Sequence, residues 1–318
     1  MFYDKYDTWF DEVRQLISQH LKSDILPVRK LVDYQQLSRG KMVRPLLVFL
    51  SSELVGNNSP DTLSAAAAME VIHTATLLHD DVVDKAEKRH NRPTVNNVWD
   101  NKSAVLLGDY YLSQGLRLLL NTGKIAYVEA VMRCASELAQ GELLQHINVF
   151  NTDVDTYLKI IEFKTASLFR ACAYCGAISG GGNDTDVDNM SKFGILLGMI
   201  FQLKDDALDY SPQYADKIGK PVLNDIVEGK ITLPLLSAFA QADASECRAV
   251  MQLIKNAPQE VDKVLAFVKE YSGVEYANKV MKNYANQARG LLKEYETKNS
   301  RAYNDCMELL DFLLTREF

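Results

Sequence analysis

The sequence is poor in the residues that interrupt regular structure. It has 16 glycines and 8 prolines in 318 residues, whereas average usage of the two together is roughly 12%. So few turn residues over this length favour long helices over many short strands. The scarcity also excludes collagen, low-complexity linkers and disulfide-dense miniature folds, and a hydrophobic content of 47% can form a large core.

Positive charge and long apolar runs are in short supply as well. The net charge of −7 argues against nucleic-acid binding, which needs a basic surface. The uncharged run Phe193–Leu203 is too short to span a bilayer, which takes about 20 residues. The first residues are acidic where a secretory signal would be basic. We therefore expect a cytoplasmic protein with no transmembrane segment.

Cysteine is also scarce, and the count of five is odd, which suits a reducing compartment. Cys172 and Cys175 form a lone CxxC with no second pair of ligands nearby. Packed core thiols are therefore favoured over a zinc site.

The chain is rich in apolar residues at helical spacing, with no Ser-, Pro- or Gly-rich spacer between them. We predict an all-α fold, a single large helical bundle of roughly ten or more helices forming one domain over residues 1–318. The last segment, Ser300–Phe318, reads as an amphipathic helix that serves core packing or contacts a partner. The other clearest helical segments are Ser64–Leu78, Tyr127–Leu144, Thr156–Cys175, Asp188–Leu208 and Val274–Tyr295.

Two similar aspartate runs, HDDVVD and KDDALD, follow two of these apolar segments. Each run places aspartates at i, i+1 and i+4, and residues i and i+4 share one helix face. Neighbouring carboxylates repel each other, and a hard divalent cation such as Mg²⁺ relieves the repulsion. A solvated acidic helix end is the alternative, which the repetition makes less favourable. The aspartates are Asp80, Asp81 and Asp84 in the first run and Asp205, Asp206 and Asp209 in the second.

Basic residues accompany both acidic runs. Mg²⁺ usually bridges protein carboxylates to substrate phosphates, and cations near each run are what a metal–diphosphate complex requires. Any one of them taken alone is more often a surface charge. They are Lys41 and Arg44, Arg89 and Arg92, Lys164 beside Thr165, and Lys217, Lys220 and Lys230.

The order of these motifs resembles the trans-isoprenyl diphosphate synthases, the polyprenyl synthetase family. The chain contains GKMVRP, IHTATLLHDDVVD, RPTVN, LLGDYYL, FKTASLF, GMIFQLKDDALD and GKPVLNDIVEGKITLP in that order, from Gly40 to Pro234. The segment Ile72–Asp84 is similar to the long-chain members, of which octaprenyl diphosphate synthase is an example. The resemblance implies an all-helical fold around a central cavity, a homodimer, and three Mg²⁺ ions when substrate is bound.

Roles for individual residues follow from the same resemblance. It implies that Asp80, Asp84, Asp205 and Asp209 hold Mg²⁺, and that Asp81, Asp206 and Lys164 assist catalysis. Isopentenyl diphosphate would bind Lys41, Arg44 and His73, and the allylic diphosphate would bind Arg89, Lys164, Thr165, Gln202, Lys220 and Lys230. One departure is His90, which stands where the family has a second arginine and offers neither a permanent charge nor a bidentate donor. Either His90 is protonated beside the diphosphate, or Arg92 substitutes for the arginine, or the affinity for isopentenyl diphosphate is lower.

The reaction implied is the head-to-tail condensation of isopentenyl diphosphate with an allylic diphosphate to a linear all-trans product. Small residues just before Asp80, Ala75 and Thr76, would form the first wall beside the growing chain. A bulky aromatic residue there would stop growth early, so we expect a product longer than twenty carbons. Met132 is a candidate for the floor of the cavity.

Four other functions remain as alternatives. The first is a short-chain synthase making farnesyl or geranylgeranyl diphosphate. The second is a non-catalytic subunit of a two-component synthase, although both aspartate runs are intact. The third is a terpene cyclase. The fourth is a di-iron protein using the ExxH pairs Glu70–His73 and Glu87–His90, although basic residues surround the second pair.

Overall fold

Long helices dominate the structure, as the scarcity of glycine and proline predicts. The computed structural model describes residues 2–37, 40–89, 91–211, 224–256 and 260–316. Over these residues the fold is all-α apart from one small hairpin, which confirms the predicted fold class. The helices are α1 (Asp7–His20), α2 (Leu26–Gln36), α3 (Val43–Val55), α4 (Pro60–Val83), α5 (Val95–Val98), α6 (Asn101–Leu120), α7 (Ile125–Ile147), α8 (Val154–Ile161), α9 (Ser167–Ser179), α10 (Asp184–Asp209), α11 (Asn224–Val227), α12 (Leu233–Phe239), α13 (Ala244–Asn256), α14 (Val261–Glu270), α15 (Gly273–Leu292), α16 (Tyr295–Lys298) and α17 (Ser300–Thr315).

Three short elements depart from regular helix. Phe2–Tyr6 forms a 3₁₀ turn, and Glu162–Ala166 forms a π-helical turn between α8 and α9. Strands β1 (Lys88–Arg89) and β2 (Arg92–Pro93) pair antiparallel, with Arg89 opposite Arg92. The helical periodicity of Thr156–Cys175 predicts one continuous helix, and the π turn interrupts it. Three of the other segments predicted as helical lie in α4, α7 and α10. The segment Val274–Tyr295 follows α15 as far as Leu292, and its last residue begins α16. The tail forms α17 from Ser300 to Thr315.

The helices group into two compact units. The first comprises residues 1–133, 168–191 and 295–306, and the second comprises residues 134–167, 192–294 and 307–318. Helices α7, α9, α10 and α17 contribute residues to both units, α9 by Ser167 alone. No linker-like composition separates the units in the sequence, because the chain passes from one to the other inside four helices and at the short turn between α15 and α16.

The first unit is built around α3 and α4. Ala65 to Ala68 and most apolar residues of α3 are fully buried. Ser59 caps the start of α4 in a capping box with Thr62. Gly115 of α6 packs so closely on α4 that an added Cβ would lie 2.5 Å from Ile72 Cγ1. Small residues therefore allow α4 and α6 to lie side by side, which fixes the helix that carries the first aspartate run.

The second unit has its own apolar core. Its buried side chains come from α8, α10, α12, α14 and α15, among them Leu203, Leu235, Val268 and Met281. Gly273 begins α15 against Pro234 of α12, where a Cβ would come within 2.2 Å of the Pro234 carbonyl oxygen. This core supports the C-terminal half of α10, which carries the second aspartate run.

All five cysteines lie among the described residues and none forms a disulfide. Cys172 and Cys175 are fully buried, the environment expected for packed thiols. No helix of the described ranges combines the length and the apolar character needed to cross a membrane.

Candidate active site

Both aspartate runs lie at the C-terminal ends of long helices. Asp80 and Asp81 belong to the last turn of α4 and Asp84 caps it, while the second run closes α10. The C-terminal end of a helix carries partial negative charge, so each carboxylate there costs about 0.3–1 kcal/mol. The sequence thus gathers negative charge where the backbone already disfavours it. Such a site suits a cation.

The aspartates of the first run differ in exposure. Asp80 is half-buried, Asp84 is exposed, and Asp81 is only 5% exposed. The Asp84 N–H donates to the Asp80 carbonyl at 2.8 Å, which places these two residues one helical turn apart. Asp81 is rotated about 100° from Asp80 and therefore faces inward. The acidic pair with shared orientation is Asp80 and Asp84.

Arg89 holds the inward aspartate. Its Nε and Nη2 both lie 2.8 Å from Asp81 Oδ1. Arg89 is on β1, and the Asp81 backbone carbonyl accepts from Ala86 N–H at 2.9 Å. The hairpin therefore folds back on the end of α4. In this arrangement Asp81 and Arg89 anchor the loop after the run.

The GKMVRP segment begins α3 and lies against α4. Arg44 Nη1 lies 3.0 Å from His73 Nε2, and the guanidinium carbon is 5.2 Å from the Phe169 ring centroid. Because a guanidinium only donates, His73 Nε2 is the acceptor in this contact. Lys41 is exposed, and Met42 adopts a left-handed backbone at φ 56°. Arg44 and His73, predicted to bind the same diphosphate, are thus neighbours.

The residues predicted to wall the product differ in their surroundings. Ala75 is 1% exposed and tightly packed, whereas Thr76 is half-buried and donates its hydroxyl to the His73 carbonyl at 2.8 Å. Met132 is 54% exposed, which argues against a place in the cavity floor of its own chain.

A polar relay in the second unit connects the π turn to the second aspartate run. The Thr165 hydroxyl donates to Gln202 Oε1 at 2.7 Å, and Gln202 Nε2 donates to Asp206 Oδ1 at 2.8 Å. The Tyr157 hydroxyl donates to Asp206 Oδ2. Lys164 Nζ pairs with Glu142 and donates to Gln145 Oε1 at 3.0 Å. π turns are frequent at functional sites, and this one presents Lys164 and Thr165 on successive positions.

Asp206 is the most deeply buried carboxylate of the second run. It is 2% exposed, and burial, with a further contribution from the Asp225 carboxylate, raises the pKa of Asp206 to about 8. The hydrogen bonds from Tyr157 and Gln202 oppose that rise. Burial and the neighbouring carboxylate thus both disfavour the charged form of Asp206, and a bound cation would favour it.

The remaining predicted site residues of the second unit are the two aspartates on either side of Asp206 in the run and the nearby basic residues. Asp205 and Asp209 are half-buried. Arg316 Nη2 lies 2.6 Å from Asp205 Oδ1. Lys230 pairs with Glu228 at 2.6 Å, and its N–H donates to the Asp225 carbonyl at 2.8 Å. His90, Lys217 and Lys220 lie outside the described residues.

The donor set fits a hard cation that also binds a phosphate ligand. Across the described ranges, no three Asp, Glu, His or Cys side chains are close enough to hold a metal ion by themselves. Mg²⁺ does not require such a cage, because it keeps several waters and usually takes one or two carboxylates plus substrate phosphates. Asp80 with Asp84, and Asp205 with Asp209, offer that kind of partial ligand set.

Sequence reasoning missed Tyr157, Glu142 and Arg316. Tyr157 and Glu142 carry no motif and reach the site through packing. Arg316 is 111 residues from Asp205 in the chain, and its only signal is a single cation after an apolar helical segment.

Comparison with known proteins decides the family. The polyprenyl synthetase model matches residues 27–271. The chain belongs to this family. The resemblance drawn from the motifs is thereby confirmed.

Individual relatives align with nearly the whole length of this member of the polyprenyl synthetase family. Octaprenyl diphosphate synthase of Haemophilus influenzae is 33% identical over 89% of this chain and 87% of its own. A short chain isoprenyl diphosphate synthase of Methanothermobacter thermautotrophicus is 32% identical over 98% of this chain and 97% of its own. A crystal structure of polyprenyl synthase from Caulobacter crescentus, complexed with calcium and isoprenyl diphosphate, superposes with a TM-score of 0.91 at 30% identity, covering 100% of this chain and 97% of that one.

Proposed function

We propose that this chain condenses isopentenyl diphosphate with an allylic diphosphate, head to tail, into a linear all-trans polyprenyl diphosphate longer than twenty carbons. The observation that carries the proposal is the pair of aspartate runs at helix C-terminal ends in a chain of this family. Similarity to an octaprenyl diphosphate synthase supports the long product.

We assign the metal to Asp80, Asp84, Asp205 and Asp209. Mg²⁺ bound there would act as a Lewis acid that neutralises the departing diphosphate. The calcium and isoprenyl diphosphate in the Caulobacter structure support a divalent ion at such carboxylates. Asp81 and Asp206, held by Arg89 and by Tyr157 with Gln202, keep the two helix ends in place.

The remaining residues bind and orient the substrates. We assign Lys41, Arg44 and His73 to isopentenyl diphosphate, with His90 in the place of the second arginine. Lys164 and Thr165, on the π turn, take the allylic diphosphate together with Arg89, Gln202, Lys220 and Lys230. Charged donors on phosphate oxygens give the strongest hydrogen bonds available.

The chemistry follows from charge separation. The allylic C–O bond breaks, and its electron pair leaves with the diphosphate. The double bond of isopentenyl diphosphate attacks the allylic cation and forms the new C–C bond. Loss of a proton from the adjacent carbon to the released diphosphate restores a double bond. The apolar side chains of α4 keep water from the cation.

We extend the proposal to assembly, domain and location. The two units act as one polyprenyl synthetase domain, supported by the four helices they share. A homodimer is supported by large apolar side chains exposed on α6 and α7 of the first unit, among them Val105, Leu106, Leu120 and Ile125. A cytoplasmic location is supported by the five cysteines, all of them outside disulfides.

One incubation tests the function. The purified chain receives Mg²⁺, farnesyl diphosphate and isopentenyl diphosphate, and the products are separated by length. Linear prenyl diphosphates beyond twenty carbons support the proposal. Products of twenty carbons or fewer favour the short-chain alternative, cyclic hydrocarbons favour a terpene cyclase, and no turnover favours a non-catalytic subunit. Bound iron with no need for diphosphate favours the di-iron alternative.

The variant Asp80→Asn sharpens this test. Removing one charge aimed at the leaving group should lower kcat by about 100-fold or more. Asp155→Asn is the matched control, because Asp155 is exposed in the first turn of α8. Equal activity of the two variants would contradict the assignment of Asp80.

A further inference from the structure

The residue after α17 places a positively charged side chain beside the second aspartate run. Arg316 follows α17, and its side chain is only 6% exposed. Its Nη2 donates to Asp205 Oδ1 at 2.6 Å and to the Phe201 carbonyl at 2.8 Å. The guanidinium carbon also lies 4.0 Å from the Phe201 ring centroid. One arginine thus contacts α10 at two positions one turn apart.

Packing on both sides fixes this arginine. The Arg316 N–H donates to the Phe312 carbonyl at 2.9 Å, so the residue continues the last turn of α17. Leu309, Leu310 and Leu313 of that helix are fully buried. The Phe201 ring and carbonyl hold the guanidinium by contacts that do not involve Asp205. The positive charge therefore stays beside Asp205 whatever else that carboxylate binds.

A fixed positive charge has opposite effects on the two components of a metal–diphosphate complex. Arginine is always protonated. Two like unit charges a few ångströms apart near a protein surface repel by several kcal/mol, so the guanidinium opposes a bare divalent cation at Asp205. When an anionic diphosphate binds together with the cation, the guanidinium attracts the complex, because the complex carries negative charge.

We propose that Arg316 is a positioning residue that orients Asp205 and makes cation binding at the second aspartate run depend on diphosphate. The proposal rests on the proposed function for the identity of the anion. It predicts weak binding of the cation alone and strong mutual enhancement between cation and diphosphate. If the guanidinium served packing only, removing its charge would change neither the affinity for the cation alone nor the enhancement by diphosphate.

Calorimetric titration with Mn²⁺, alone and with inorganic diphosphate, tests this on the full chain. In Arg316→Gln the amide keeps a donor but loses the charge. Affinity for Mn²⁺ alone should rise about tenfold or more, and the enhancement by diphosphate should shrink by a similar factor. Arg316→Lys keeps the charge and should stay close to the unaltered chain in Mn²⁺ affinity. If Arg316→Gln does not fold, Arg316→Met gives the same neutral test.

The chain offers a matched control in Arg289 of α15. Its Nη2 also lies 2.6 Å from an aspartate, Asp311 Oδ1, but the two side chains are 42% and 60% exposed. Arg289→Gln should leave both Mn²⁺ titrations unchanged. An unchanged or lower Mn²⁺ affinity in Arg316→Gln, or an equal effect in Arg289→Gln, would overturn the proposal. Normal prenyl elongation combined with that result would refute this inference alone, whereas shifted Mn²⁺ binding without elongation would refute the proposed function alone.

Discussion

At the scale of single residues, Glu70 shows how a carboxylate near the predicted substrate loop responds to its surroundings. It is half-buried on α4, three residues before His73, and lines a cavity of about 280 Å³ with Arg14 and Gly40. Burial raises the pKa of Glu70, although the nearby charges of Arg44 and Arg14 act in the opposite direction. The loss of solvation is the larger effect.

The raised pKa of Glu70 predicts a pH-dependent stability. A carboxyl group with a higher pKa in the folded state stabilises the fold fully below its unfolded pKa, and that contribution is lost as pH rises through the folded pKa. Glu70→Gln has no titrating carboxyl at this position, so its stability does not fall in this way as pH rises. The variant should therefore gain in free energy of unfolding relative to the unaltered chain as pH is raised from acidic to neutral. Urea unfolding at several pH values measures the difference.

Glu70→Asp is the control for that series, because it keeps a carboxyl on the same face of α4. It should retain the downward trend with rising pH. A Glu70→Gln variant that loses stability relative to the unaltered chain as pH rises would show that the two arginines outweigh burial.

The sequence predicts which residue types form the site more completely than it predicts how their side chains are oriented. The helical register separates Asp81 from Asp80 and Asp84, and Asp206 from Asp205 and Asp209, because adjacent residues differ by about 100°. The partners of the inward residues were less accessible. Arg89 is eight residues from Asp81, within reach of a local argument, but Tyr157 and Arg316 reach the second run only through tertiary packing.

At the scale of elements, hydrophobic periodicity predicts the helices but not their irregularities. Apolar spacing over Thr156–Cys175 cannot reveal the extra residue that makes Glu162–Ala166 a π turn. The hairpin of β1 and β2 is too short for a strand pattern. Both irregular elements carry residues assigned to the site, Lys164 and Thr165 in one and Arg89 in the other.

The contact between α4 and α6 gives a prediction about a single glycine. In Gly115→Ala the new Cβ would lie 2.5 Å from Ile72 Cγ1 and 3.3 Å from the Ala68 carbonyl oxygen. Ile72 is β-branched and fully buried, so neither neighbour can move easily. We expect a loss of about 1–3 kcal/mol in the free energy of unfolding, measured by denaturant titration.

Gly290→Ala is the matched control on another helix. Gly290 is an exposed position of α15 with open space around its Cα. Alanine has the higher helix propensity, so this variant should gain about 1 kcal/mol. If both alanine variants changed stability in the same direction, close packing of α6 on α4 would not be what Gly115 provides.

At the scale of the whole molecule, composition predicts an all-α chain, but it does not predict two compact units. No spacer marks a boundary, since α7, α9, α10 and α17 each contribute residues to both units. Such a division depends on which helices pack together, and that information is spread over the whole sequence. The motif order nevertheless identifies the family, because it fixes residue types at many positions at once.

Product length is a property of the whole molecule that one residue of α4 can alter. Thr76 lies one turn before Asp80 on the same helix face and is half-buried, so an aromatic side chain there would project beside the growing prenyl tail. Thr76→Phe should shift the products toward shorter chains while elongation continues. Ala75→Phe would instead overpack a residue that is 1% exposed and lower the stability.

Thr74→Phe is the matched control for that product analysis. Thr74 and Thr76 both donate their hydroxyls to carbonyls of α4, to Glu70 at 2.9 Å and to His73 at 2.8 Å. The two positions differ by about 200° around the helix, and Thr74 lines the cavity beside Glu70. Chromatography of the products should show shortening for Thr76→Phe only. Equal shortening in both variants would mean that the effect comes from a general disturbance of α4, and unchanged lengths would remove Thr76 from the wall.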